Sequence, residues 1–409
     1  MTVTPAMLSA VDFIAGEAPS LEAELVELCS VNSGSRNLPG LDAKAEMFTS
    51  LFSRLDPDET VVEELRPETV IDDDGEEVRL PLGRAVRLIR RGSGDRSVLL
   101  VGHYDTVFGP DHPFQSCRKP DPYELNGPGA ADMHGGLLVM HTAVRALENS
   151  PWAGDLGWEI ILTPDEEIGS PGSRPVLAAA ASRHTAGLVF EPSLPNGNLA
   201  GARKGSGNFT VVVKGKAAHA GRDHHLGRNA VVHLARIAVA IDDLNGHREG
   251  VTVNPASTLG GGPNNIVPDH GVLRFNIRVP DRASQEWVEE RLGEIVAEAG
   301  AAEGFEVRLH GGFARPPKEV DPAIGALLEL AVDSAAALGG TLAWEPTGGV
   351  CDGNDLAAAG LPNIDNMGVV GRGLHSSAEV VELPSLVDRS RIAAVLLMRV
   401  ADGEFDPVP

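Results

Sequence analysis

Cysteine is scarce. Cys29, Cys117 and Cys351 are the three in a chain of 409 residues, and they stand far apart. An odd number with no close pair makes neither a thiolate metal motif nor a disulfide framework, and it fits a reducing cytoplasm. Positive charge is also short: 34 Lys and Arg face 58 Asp and Glu, a formal net charge of -24. Such a surface repels phosphates, which argues against nucleic acid or an anionic membrane as the main partner. Long apolar runs are missing. The opening "MTVTPAMLSAVDFIAGEAPS" lacks a basic start and an extended apolar core, so neither a signal peptide nor a membrane span is expected. There is no internal repeat. What is present is ordinary for a globular chain, 42% hydrophobic and 22% charged. The length suggests two domains, or one large domain with an insertion.

The first 55 residues or so read as helices, with Leu21, Leu25 and Leu28 at helical spacing. "VIDDDGEEVRL" reads as a hairpin turned at Asp74–Gly75, and its acidic run lacks the ligand spacing of a calcium loop. Short apolar runs follow: "SVLLVG", "WEIIL" and "AGLVF". Between the first two lies a helix with Leu137, Met140, Val144 and Leu147 on one face. Buried strands alternating with helices predict an α/β fold, a mostly parallel sheet covered by helices. After Gly205 the pattern changes. "FTVVVKG", a helix, "GVLRFNIRVP", a second helix and "FEVRLHG" give a βαββαβ-like order. This predicts a small inserted α+β (ferredoxin-like) unit over residues 206–312. The first sheet is then built from residues 1–205 and completed by 313–409, where "PNIDNMG" supplies a strand.

Polar residues follow the strands. His103 and Asp105 come after the first in "GHYDTV", Glu166 and Glu167 after the second in "TPDEEIGS", and Glu191 after the third in "FEPS". Asp132 lies in the glycine-rich "NGPGAADMHGG", and His375 in "GRGLHSSAE" near the last predicted strand. Ligands of open α/β sheets collect at the carboxyl ends of the strands, so these groups should converge. Imidazole and carboxylate without thiolate suit zinc, and also cobalt or manganese. One carboxylate can bridge two ions. We take Asp132 as the bridge, with His103 and Glu191 completing one site and one of the paired glutamates with His375 completing the other. The second glutamate is then free to act as a base, and the residues alone leave the order of the two open. Asp105, two positions after His103, shares its side of an extended backbone and is placed to orient its ring.

At this point the chain resembles the dinuclear zinc metallopeptidases that include aminoacylase and the bacterial folate-cleaving glutamate carboxypeptidase. The matching segments are "GHYDTV", "GPGAADMHGG", "TPDEEIGS", "FEPS", "GARKGSG", "GKAAHAG", "GGGPNNIVPD", "GGVCDGNDL" and "GLHSSAE", in the family's order over nearly the whole chain. The resemblance implies that Glu166 is the base and Glu167 the ligand, with two zinc ions per chain. It implies that the inserted unit is a lid that dimerises, giving a homodimer. It assigns His219 and Asn265, both in the lid, to contact with the reacting carbonyl, and Arg315, in "FARPP", to a substrate carboxylate, with Arg278 and Lys204 as further candidates. The reaction it implies is hydrolysis of an amide next to a free carboxylate, in an N-acyl amino acid or a peptide. Glu191, where aspartate accompanies aminopeptidases, leans away from the rival dipeptidase or aminopeptidase reading. The intact base argues against a binding protein that kept the fold without the chemistry.

Two departures from the relatives' pattern bear on substrate preference: His134, where lysine is common, and His224–His225, where proline and glutamate are common. We read these histidines as local polar groups. Taken alone, Glu166 and Glu167 would read as acids at a helix start. Asp352 and Asp355, in "CDGND", are expected to tie a loop near the site.

Overall fold

The computed structural model describes residues 3–406. The central sheet has six strands in the order Glu59–Glu64, Arg84–Arg90, Gly157–Thr163, Ser97–His103, Ala186–Val189, Asn363–Ile364. The last four run parallel, and Arg84–Arg90 is antiparallel to both of its neighbours. The three expected apolar strands are nearly continuous in burial, as central strands covered on both faces must be.

The helix expected after the first strand is Gly135–Glu148. Its apolar stripe understates its setting, because residues 135–144 are all buried and not one face alone. A helix enclosed on every side has no solvent face to keep polar. It packs against the C-terminal helix Pro384–Ala401 and the sheet in one large core. The expected hairpin is Glu68–Ile71 paired with Glu77–Leu80. Its turn contains Gly75 at φ 74, a left-handed conformation suited to glycine.

The second large sheet is antiparallel, in the order Thr252–Gly260, His270–Val279, Gly205–Lys214, Glu306–Arg315. The helices Ala230–Asp242 and Arg282–Gly300 pack with it around a separate core that includes Val211, Leu234, Leu273, Ile277 and Leu292. Asn229 and Asp281 cap these helices by accepting from the backbone N–H of Val232 and Ser284. This sheet's last strand runs on to Arg315, three residues beyond the expected limit of the insertion, so the arginine itself stands on this second sheet.

His375 is carried differently from the other strand-end residues. It lies between Gly371–Arg372 and Val380–Glu382, two strands of a separate antiparallel sheet with Glu124–Asn126 and Arg118–Asp121. Its strand Val380–Glu382 packs against the segment Ala130–His134, which carries Asp132. Among the described residues, no helix is long and apolar enough to cross a membrane.

Candidate active site

His103 is the last residue of its strand, and Asp105 follows it, fully buried. The ring Nδ1 lies 3.1 Å from the Asp105 carbonyl oxygen and 3.3 Å from its Oδ1. With Nδ1–H given to Asp105, Nε2 faces the pocket as an electron-pair donor. Asp105 does more than orient this ring. Its Oδ1 accepts from the backbone N–H of Glu166 at 3.1 Å, and its Oδ2 from that of Glu167 at 3.2 Å. Ser35 Oγ donates to Oδ2 at 2.7 Å. One carboxylate therefore sets the histidine and both glutamates in register.

The two oxygens of Asp132 face opposite ways. Oδ1 is 3.1 Å from His103 Nε2, and Oδ2 is 3.2 Å from His375 Nε2. Glu191 Oε1 stands 3.8 Å from His103 Nε2, and Glu167 Oε2 3.1 Å from His375 Nε2. Donor atoms of His103, Asp132 and Glu191 lie within 4.8 Å of one another, as do those of Asp132, Glu167 and His375. The geometry thus brings together the five expected ligands as two trios that share one aspartate. His375 has a positive φ of 60 and is half exposed, at the rim of the site.

Glu166 stands apart from both trios. Its Oε2 is 4.0 Å from His103 Nε2, and its Oε1 is 2.8 Å from Arg315 Nη2. Burial pushes its carboxyl well above the usual range, against the pull of Arg315. Burial and the charge of Asp132 push Glu167 up to about 7, and burial also raises Glu191. Asp132 is held low by His103 and His375 in spite of its burial. His375 is raised to about 11 by its bonds to Asp132 and Glu167. Four acids meet two imidazoles in a buried pocket that added positive charge would stabilise. Oxygen and imidazole donors of this kind fit divalent cations of the zinc class.

The remaining expected residues are placed as follows. Arg315 is buried, and protein groups surround it: Glu166, Asp352 at 3.0 Å, Asp355 at 3.1 Å and Ser170 Oγ at 2.9 Å. Asp352 and Asp355 are the loop-tying acids of "CDGND". His219 is exposed, and its Nδ1 accepts from the backbone N–H of Gly221 and Arg222. Among the described residues no bond links it to the five ligands. Asn265 lies next to it, because its carbonyl accepts from Ala220 N–H at 2.9 Å. Arg278 stands opposite Ser206, as Arg315 does on the other side of that strand. Its Nε donates to Asn276 Oδ1, while its buried Nη1 has no partner among the described residues. Lys204 donates to the Gly250 carbonyl at 2.7 Å. His134 is buried beside Phe48 and 3.8 Å from Cys29 Sγ and belongs to neither trio, and His224 and His225 lie exposed in a short helical turn.

Glu379 carries a role that the sequence reading missed. It is buried and accepts from the backbone N–H groups of Gly129, Ala131 and Asp132, which holds the bridging loop in shape. It stands four residues after His375, at the end of "GLHSSAE". Its only sequence signal was an acid among small residues.

The chain matches the peptidase family M20/M25/M40 over residues 99–399. It belongs to that family. It is 28% identical to carboxypeptidase G2 of Pseudomonas sp. over 319 residues, 77% of this chain and 76% of that one. It is 31% identical to succinyl-diaminopimelate desuccinylase of Rhodospirillum rubrum over 368 residues, 80% of this chain and 89% of that one. The fold is also similar to that of the di-peptidase Dug1p from Saccharomyces cerevisiae, with a TM-score of 0.74 at 14% identity, covering 98% of this chain and 99% of the other. As an M20 family member the protein is a metal-dependent amidohydrolase, and the two trios are its candidate metal site.

Proposed function

We propose that this M20 enzyme holds two zinc-class ions and cleaves an amide bond next to a free carboxylate, as a carboxypeptidase or N-acyl-amino-acid deacylase. The observation that carries the reading is the division of labour at Asp132, which faces both trios while Glu166 keeps one oxygen towards the same centre without joining either. The relatives named above, a carboxypeptidase and a desuccinylase, support the same side of the family.

Bound metals would polarise the scissile carbonyl and raise the acidity of a water. Glu166 Oε2 is the proton acceptor, and returns the proton to the leaving nitrogen. A base whose pKa is shifted upward by burial is suited to both steps. Arg278, on the strand His270–Val279, is a further substrate-carboxylate candidate.

The lid, residues 206–312, is proposed to pair with the lid of a second chain. Val232 and Val239 are exposed on one helix, and the edge strand Thr252–Gly260 is exposed along most of its length. An open edge and bare apolar side chains are what a partner sheet would cover. His219 would then serve the site of either its own chain or its partner. Unpaired cysteines accord with a cytoplasmic setting.

The test is turnover of the zinc- or cobalt-loaded enzyme against N-acyl amino acids and dipeptides, each offered as free acid and as terminal amide. Cleavage should require the free acid, and Glu166→Gln should keep its metals while losing roughly 10²–10⁴-fold in kcat. Equal turnover of acid and amide would turn the assignment towards an aminopeptidase.

A further inference from the structure

We propose that Arg315 is a positioning residue that clamps the general base, rather than the group that reads the substrate. The proposal rests on the role given above to Glu166. Both Nη groups of Arg315 are already committed. Nη2 donates to Glu166 Oε1 at 2.8 Å and to Ser170 Oγ at 2.9 Å, and Nη1 donates to Asp352 Oδ1 at 3.0 Å and Asp355 Oδ2 at 3.1 Å. Arg315 has 3% of its surface exposed. A substrate carboxylate would have to displace a buried protein carboxylate to reach it, leaving that charge without its partner.

The clamp acts on one oxygen only. Oε1 of Glu166 is held by the guanidinium, which leaves Oε2 turned to the metal centre, 4.0 Å from His103 Nε2. The backbone of Glu166 is fixed from the other side, by Asp105. A glutamate side chain has three rotatable torsions, so backbone anchoring alone leaves its carboxylate free to swing. The fork of Arg315 removes that freedom, and Asp352, Asp355 and Ser170 hold the fork in turn. Lysine offers a single ammonium on a flexible stem and cannot span Glu166 and the two aspartates with the same geometry. Arg315 is also the last residue of a lid strand, opposite Ser206, so the orientation of the base is tied to the lid.

The experiment compares wild type, Arg315→Ala and Arg315→Lys as metal-loaded full-length protein. Positioning predicts that kcat falls by about 10²-fold with KM changed less than about threefold, and that metal content stays at the wild-type level. Free guanidinium added to Arg315→Ala should restore part of kcat. Crystal structures of the variants should show the Glu166 carboxylate rotated or spread over several rotamers, with the five candidate ligands in place. A large rise in KM at unchanged kcat would overturn the proposal and return Arg315 to the substrate. So would a Glu166 side chain that keeps its place in both variants. Arg315→Ala leaves buried acids facing one another; if it does not fold, Arg315→Lys, which keeps the charge, decides on the same criteria. The Glu166 position is read without turnover. A wild type inactive on every acyl amino acid and dipeptide would therefore count against the proposed reaction, while the clamp would still be judged by the structures.

Discussion

Asp105→Asn tests how far one buried carboxylate organises the site. The substitution keeps the shape and removes the charge and one acceptor. In the protein Oδ1 faces two donors, Glu166 N–H and the His103 ring, and Oδ2 faces Ser35 Oγ and Glu167 N–H. An asparagine must put its NH₂ on one of these sides. The less costly choice is the Oδ2 side, because the Ser35 hydroxyl can rotate to accept. Glu167 N–H then faces a donor and stays unsatisfied, at about 1–3 kcal/mol. The bond to the His103 ring remains but loses its ionic character. Changes in groups that orient metal ligands typically lower metal affinity about 10–100-fold, or roughly 1.4–2.7 kcal/mol. We therefore expect a loss of about 1–3 kcal/mol in the metal-free protein, and metal binding weakened about 10–100-fold. Chelator competition with cobalt measures the second quantity, and denaturant titration of the metal-free protein the first. Wild-type affinity for both ions, with folding stability also unchanged, would refute the argument that Asp105 registers His103 and the two glutamates.

Three further outcomes are expected. Gly136→Ala places a Cβ 2.0 Å from the Phe190 carbonyl oxygen, directly before Glu191, so it should cost about 1–3 kcal/mol and weaken the His103–Asp132–Glu191 site; thermal melts with and without metal check both. His141 is buried, and burial together with Arg145 and Arg54 lowers its pKa to about 3 from the ordinary 6.5. The unfolded chain therefore takes up a proton that the folded one refuses as pH drops from about 6.5 towards 3, and stability falls. His141→Leu should flatten that decline by about 1.4 kcal/mol per pH unit, read from urea midpoints at several pH values. Val232→Asp combined with Val239→Asp should give monomers by light scattering if the lids pair, and should abolish turnover only if His219 serves the partner's site.

The sequence by itself determined the three apolar strands, the helix between the first two and a βαββαβ-like order for the insertion. These follow from local periodicity, which a chain displays without reference to its distant parts. It also singled out His103, Asp132, Glu166, Glu167, Glu191 and His375, because strand ends are the places where an open sheet presents polar groups. Tertiary structure alone decided what those residues face. Only folding sets Asp132 with one oxygen towards each histidine, brings Glu379 from the far end of the chain under the Asp132 loop, and carries His375 on a separate sheet. Arg315 shows the difference most clearly. As a residue in a sequence it is a free cation awaiting an anion. In the fold its partners Asp352 and Asp355 arrive from 37 and 40 residues downstream, and Glu166 from 149 upstream. Whether a charge is available to a substrate depends on which opposite charges the rest of the chain has already packed against it, and no local pattern contains that information.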